Sequence, residues 1–218
     1  MDRTPTFLEQ VQEELAWEPS VYAGSITAAT VDGIVTLTGT VRTFAEKVAA
    51  ERAVRRVRGV RGVVNDLDVK LLVTHRHPDT EIAKAAVHAL QWNSVVPRDA
   101  IRVHVSDGWV RLEGAVDAQF QRAAAEEAVR TLVGVLGVSN RVTLRPPAQI
   151  PQVRAKIEAA LHRRASLDAA KVQVRTRDDH TILLSGSVSS WQERELVEAA
   201  AWAAPGVIAV EDEIKVEG

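Results

Sequence analysis

The chain of 218 residues contains no cysteine. That excludes a disulfide framework and any thiolate metal centre. Aromatic residues make up only 4% of it, so the 46% hydrophobic fraction rests largely on Ala and Val. Packed cores are affordable from that stock, but with few rings. No apolar run approaches the ~20 residues that a membrane-spanning helix needs. Neither sign of charge prevails: 27 Lys and Arg face 29 Asp and Glu, the formal net charge is −2 and the pI is near 6.3. No global field therefore recruits nucleic acid or an anionic membrane. The N-terminal MDRTPTFLEQVQEELAWEP is acidic and amphipathic, without the basic start, apolar run and small-residue cleavage site of a secretory signal. The expectation is a cytoplasmic protein, or a periplasmic one if a leader has been removed.

Catalytic signatures are missing too. There is no HExxH, G-x-S-x-G elbow, Walker loop or dinucleotide fingerprint, and a non-enzymatic role follows as the expectation. His75 and His77 lie close together in HRHPD, but without a metal-ligand spacing they read as part of a solvated linker. A metal site is left unassigned.

What the chain does contain is one phrase said three times: TVDGIVTLTGTV, VSDGWVRLEGAV and RDDHTILLSGSV. Anchored on Gly39, Gly114 and Gly186, the copies share many offsets. Ala53, Ala128 and Ala200 follow, then Gly59, Gly134 and Gly206, then Asn65, Asn140 and Asp212. Upstream, Phe7, Val11 and Leu15 match Ile82, Ala86 and Leu90, then Val153, Ile157 and Leu161. A period of about 70 residues indicates tandem domains rather than a short-repeat solenoid. The boundaries are placed at 1–73, 74–147 and 148–218, in the proline-bearing segments VTHRHPD and LRPPAQIP.

Each copy has apolar residues four apart, marking a helix face, with Pro5, Pro78 or Pro151 near its start. Two alternating strands follow, joined by Asp-Gly in the first two copies and a longer turn at His180 in the third. An Ala-rich helix then stops at a glycine and gives way to a third strand. The fold class is α+β: three αββαβ domains, each a three-stranded sheet covered on one face by two helices. Gly39, Gly114 and Gly186 interrupt strand interiors, where glycine marks a bulge or a close backbone approach.

The combination V-x-L-x-G-x-V, Ala-rich helix and G-V-x-x-V-x-N, in three in-register copies, resembles the BON family of bacterial osmotically inducible and nodulation proteins. The third copy is the loosest, with Ile182 at the first valine position and Asp212 at the asparagine. The resemblance implies the αββαβ fold and a stress-response binding role without catalysis, toward potassium ion or phospholipid membranes. No catalytic residue and no required cofactor come with it. Three copies without a leader depart from the commonest members, which weakens an outer-envelope role. Potassium is slightly preferred, because a chain without a leader sits where that ion is abundant.

The candidate ion sites are the turns Gly59–Asn65, Gly134–Asn140 and Gly206–Asp212, where backbone carbonyls could cage a hard cation. The candidates for an anionic surface are Arg52, Arg55 and Arg56 on one helical arc, with Arg58 and Arg61 just beyond. The competing reading of that arc is a solvated face paired to Glu51 and nearby acids. Domain charges of −1, +1 and −2 disfavour general nucleic-acid binding. Trp17 and Trp92, at equivalent helix ends, are expected to pack inward, and Trp109 to be partly exposed. Trp202, in EAAAWAAPG, is the candidate interface residue, buried by another domain or another chain. A scaffold or chaperone-like protein working through that third-domain surface is the remaining alternative.

Overall fold

Thr6 opens the first helix with a capping box: its side chain accepts the Glu9 N–H while the Glu9 carboxylate accepts the Thr6 N–H. This pairing satisfies two of the donors that a helix start leaves open. In the computed structural model, which describes residues 5–145, 153–162, 171–177, 180–204 and 206–217, the first domain comprises α1 (Phe7–Trp17), β1 (Ile26–Val31), β2 (Ile34–Val41), α2 (Phe44–Arg55) and β3 (Gly62–Val69). The second comprises α3 (Asp79–Trp92), β4 (Ile101–Ser106), β5 (Trp109–Val116), α4 (Gln119–Arg130) and β6 (Gly137–Leu144). The third comprises α5 (Val153–His162), β7 (Val172–Thr176), β8 (Thr181–Val188), α6 (Trp191–Trp202) and β9 (Ala209–Val216). Pro151, most of LRPPAQIP, and Asp178 and Asp179 of the third turn lie outside the described residues.

Each sheet places its middle strand in sequence at the centre, antiparallel to the strand before it and parallel to the strand after. A parallel neighbour needs a crossover, and the second helix of each domain supplies it. The expected third-copy pairing is present, with Leu184 opposite Val174 and Ile182 opposite Thr176. Three separate cores result. Val11, Leu15, Val35, Leu37 and Leu67 anchor the first, and their counterparts anchor the others.

The strand glycines serve the close approach expected of them. Gly39, Gly114 and Gly186 face Ile26, Ile101 and Val172, with φ of 121°, 148° and 121°. A Cβ at each would lie 2.2, 2.0 and 2.0 Å from the carbonyl oxygens of Ser25, Ala100 and Lys171. No side chain fits there.

Two aromatic side chains among the described residues pack on the core of another domain. Phe44, the first residue of α2, packs against the core of domain 2, and Trp191, the first residue of α6, packs against the core of domain 1. Both occupy the same repeat position, five residues after the strand glycine.

Candidate functional site

The repeated polar residues Asn65, Asn140 and Asp212 do not lie in turns. They sit inside β3, β6 and β9, facing the crossover helix. The Asn65 amide donates to the Lys47 carbonyl (3.1 Å) and Glu51 Oε2 (3.0 Å), and its own carbonyl accepts the Leu67 N–H (3.4 Å). Asn140 repeats the pattern with the Arg122 carbonyl (3.0 Å), Glu126 (3.1 Å) and the Val142 N–H (3.2 Å). In domain 3 the polarity is exchanged. Asp212 accepts from Arg194 Nε (2.7 Å) and from the Ile214 N–H (2.9 Å). Glu198, the counterpart of Glu51 and Glu126, would face a second carboxylate there, and instead accepts the Trp202 indole N–H (3.2 Å). These three residues latch helix to strand.

The glycines of the same segments stop the second helices and meet the hairpin turns. The Arg61, Leu136 and Ile208 N–H groups donate to the carbonyls of Gly33 (2.7 Å), Gly108 (2.9 Å) and His180 (3.0 Å). The Gly206 carbonyl faces the His180 ring nitrogen at 3.2 Å. The expected cage of free carbonyls at Gly59, Gly134 and Gly206 is thus separated from Asn65, Asn140 and Asp212, whose polar groups are already engaged. Among the described residues no three His, Asp or Glu side chains converge as a metal site. His77 instead pairs with Glu81 at 2.8 Å.

The arginine arc divides. Arg55 bonds Glu51 (2.6 Å), and Arg56 bonds both Glu14 (2.7 Å) and Glu18 (2.8 Å), tying α2 to the end of α1. The Arg56 hydrogen bond, helped by Ser20, holds the Glu18 carboxyl below the ordinary glutamate range, and Glu18 and then Glu14 raise Arg56 in return. Arg52, Arg55 and Arg56 also line a cleft of about 390 Å³ with Trp191, Gln192 and Glu195 of domain 3. Arg58 lies apart, in an open groove with Trp17, Val57 and Gln10. The stem of Arg61 packs beside Gly33.

The tryptophans bring the largest corrections. Trp17 and Trp92 do not pack inward; they are 84% and 79% exposed. Val11 and Leu15 face the core at helical spacing, so a residue two beyond Leu15 points elsewhere. Trp109 is exposed, as expected. Trp202 is half-buried against the core of its own domain rather than against a neighbouring domain. Of the alanines around it, Ala200, Ala201 and Ala204 are buried, while Ala199 and Ala203 are exposed. The aromatic contacts between domains belong to Phe44 and Trp191.

Sequence comparison agrees with this architecture. The BON domain model matches residues 7–70, 78–146 and 150–218. The chain belongs to the BON domain family. It is 31% identical over 139 residues to Osmotically-inducible protein Y of Escherichia coli (strain K12), spanning 60% of this chain and 67% of that protein. Among solved structures it is similar to CdsD, a structural protein of the type III secretion system of Chlamydia trachomatis, at 17% identity and a TM-score of 0.26 over 95% of this chain and 90% of that one. The PrgH periplasmic domain is similar at 10% identity and a TM-score of 0.22, over 88% and 95% of the two chains. Likeness at that level carries no functional argument. No described helix is long and apolar enough to cross a membrane.

Proposed function

We propose that this chain is a non-enzymatic osmotic-stress protein that docks on anionic phospholipid surfaces. The observation that carries the reading is the pair Trp17 and Trp92, 84% and 79% exposed at equivalent helix ends of two domains. A lone indole gains little by facing water, but its apolar body and N–H tip suit the boundary between headgroups and acyl chains. Arg58 shares the Trp17 groove with Glu13 and Glu14, so the indole rather than a net positive charge carries the contact. The similarity to an osmotically inducible protein supports the stress setting, and phospholipid is among the partners that the family resemblance implies. Potassium, the other implied ligand, gains no such support: the side chains of Asn65, Asn140 and Asp212 are engaged within the domains.

The test is sedimentation with vesicles of phosphatidylglycerol and phosphatidylcholine against phosphatidylcholine alone. The wild type is expected to sediment with the anionic vesicles, with quenching of tryptophan emission by brominated acyl chains. The Trp17→Ala, Trp92→Ala double variant should lose most of both signals while melting as the wild type does. Binding unchanged by that double variant overturns the assignment.

A further inference from the structure

The helix-free face of the domain 2 sheet differs from its two counterparts. Val110, Leu112 and Val116 point into the core, so alternation turns Trp109, Arg111 and Glu113 outward. On the flanking strands Arg102, His104 and Ser106, and Ser139, Arg141 and Thr143, share that outer face. His104 stands opposite Arg111, and Glu113 stands between Arg102 and Arg141. Arg102, His104 and Arg141 are exposed. On this face Arg111 Nε approaches Glu113 at 3.7 Å, longer than a charge-assisted hydrogen bond. Three guanidinium groups thus face one carboxylate. At the matching positions domain 1 has Thr27, Thr36 and Asp66 in place of the arginines, and domain 3 has Gln173, Leu183 and Glu213.

The pose of Trp109 decides what such a face can hold. Trp109 pairs across the sheet with Gly137. A Cβ on that glycine would lie 2.4, 2.5 and 2.7 Å from Cζ3, Cε3 and Cη2 of the indole. The ring therefore lies down over the bare backbone of the next strand, a packing only glycine permits. Yet 57% of the residue stays exposed. A recumbent ring presents its π face outward. That geometry suits a planar partner stacking on it and does not suit insertion between lipid chains.

We propose that the open sheet of domain 2 binds single-stranded nucleic acid, with Trp109 as the stacking platform for a base and Arg102, Arg111 and Arg141 as phosphate contacts. Aromatic platforms combined with cationic surface are how single strands are held without sequence preference. The near-neutral net charge of the chain does not bear on this, because on this face a single acid, Glu113, stands against three arginines. The site is independent of the lipid-docking helix ends.

The test is fluorescence anisotropy of a labelled oligothymidylate and a labelled oligouridylate of about twelve nucleotides at low salt, ~50 mM, with the full chain. Saturable binding is expected, weakening as salt rises. Trp109→Ala should weaken it by about 5- to 100-fold, the range that loss of one base stack produces, while Trp109→Phe retains most of it. Arg141→Gln and Arg102→Gln should each reduce the salt dependence, and none of these variants should alter vesicle sedimentation. No binding of either oligonucleotide overturns the proposal. So does binding indifferent to Trp109→Ala in a protein of unchanged melting temperature, or equal displacement by a sulfated polysaccharide, since either would reveal a general polyanion surface.

Discussion

The guanidinium of Arg55 in domain 1 lies over the indole of Trp191 in domain 3, 5.2 Å from the ring centroid, and Arg194 covers the same ring at 4.8 Å. Two cations from different domains share one ring, which also touches the domain 1 core. The contact joins parts of the chain more than a hundred residues apart and makes the first and third domains partners.

Removing it should loosen the protein. Trp191→Ala is expected to lower stability by about 2 kcal/mol, less than the ~3–5 of a fully enclosed ring because Trp191 is only half-buried. Urea unfolding measures the loss, and the radius of gyration from X-ray scattering should rise. An unchanged radius together with an unchanged midpoint would show that the two domains do not depend on this ring.

A larger effect is expected at Gly114. An alanine there meets the Ala100 carbonyl at 2.0 Å and must adopt a φ of 148°, so both sterics and backbone oppose it. Gly114→Ala should cost about 3 kcal/mol or more. Gly24→Ala, where the nearest atoms are 3.4 Å away on the Tyr22 ring, serves as the tolerated control. Equal melting of the two variants would refute the close-approach account.

The helix–strand latch predicts stability effects without ion dependence. Asn140→Ala strips partners from the Arg122 carbonyl and the Val142 N–H and should cost about 1–3 kcal/mol. Calorimetric titration of potassium into sodium-exchanged wild type should be flat. Heat of binding that vanishes in Asn140→Ala would restore the ion reading.

Acid should erase the Arg56–Glu18 contribution selectively. Glu18 is held below its ordinary range by Arg56 first and Ser20 second, so the folded state stabilises its charged form. The gain is full above the unfolded glutamate value, ~4.3, and is lost as pH falls through the lowered folded value. Both groups are partly solvated, which limits the effect to below about 1 kcal/mol. The stability gap between wild type and Arg56→Gln should therefore be level from neutral pH down to about 5 and close below about 4. A gap that widens in acid would reverse the assignment.

The repeat offsets were enough to read the element order, the sheet-and-helix layering and the strand glycines, because each rests on local spacing. The exposure of Trp17 and Trp92 was also written there, in their position two residues past a core leucine, though their bulk argued for burial. The latch could have been found from Glu51 and Glu126 standing fourteen residues before Asn65 and Asn140, and from Arg194 standing eighteen before Asp212. The docking of Phe44 and Trp191 on neighbouring cores had no such signal. It depends on how whole domains meet, which neither periodicity nor composition encodes.

Because the three sheets share one register, with Ile26, Ile101 and Val172 each opposite its glycine, a strand of one domain meets the geometric needs of another domain's sheet. A nascent chain carrying three interchangeable templates is exposed to mispairing between neighbours. Divergence of the side chains is the safeguard. Where β3 sets Asp66 and Asp68 on its outer face, β6 sets Arg141, and β9 sets Glu211, Glu213 and Lys215, while inward Asn65 matches Glu51 and inward Asp212 needs Arg194. A β9 exchanged into domain 1 would bring the Asp212 carboxylate against Glu51, whereas in domain 3 the counterpart Glu198 is drawn away by the Trp202 N–H. The Asp in place of Asn in the third copy thus acts as an address label that sets β9 apart from β3 and β6.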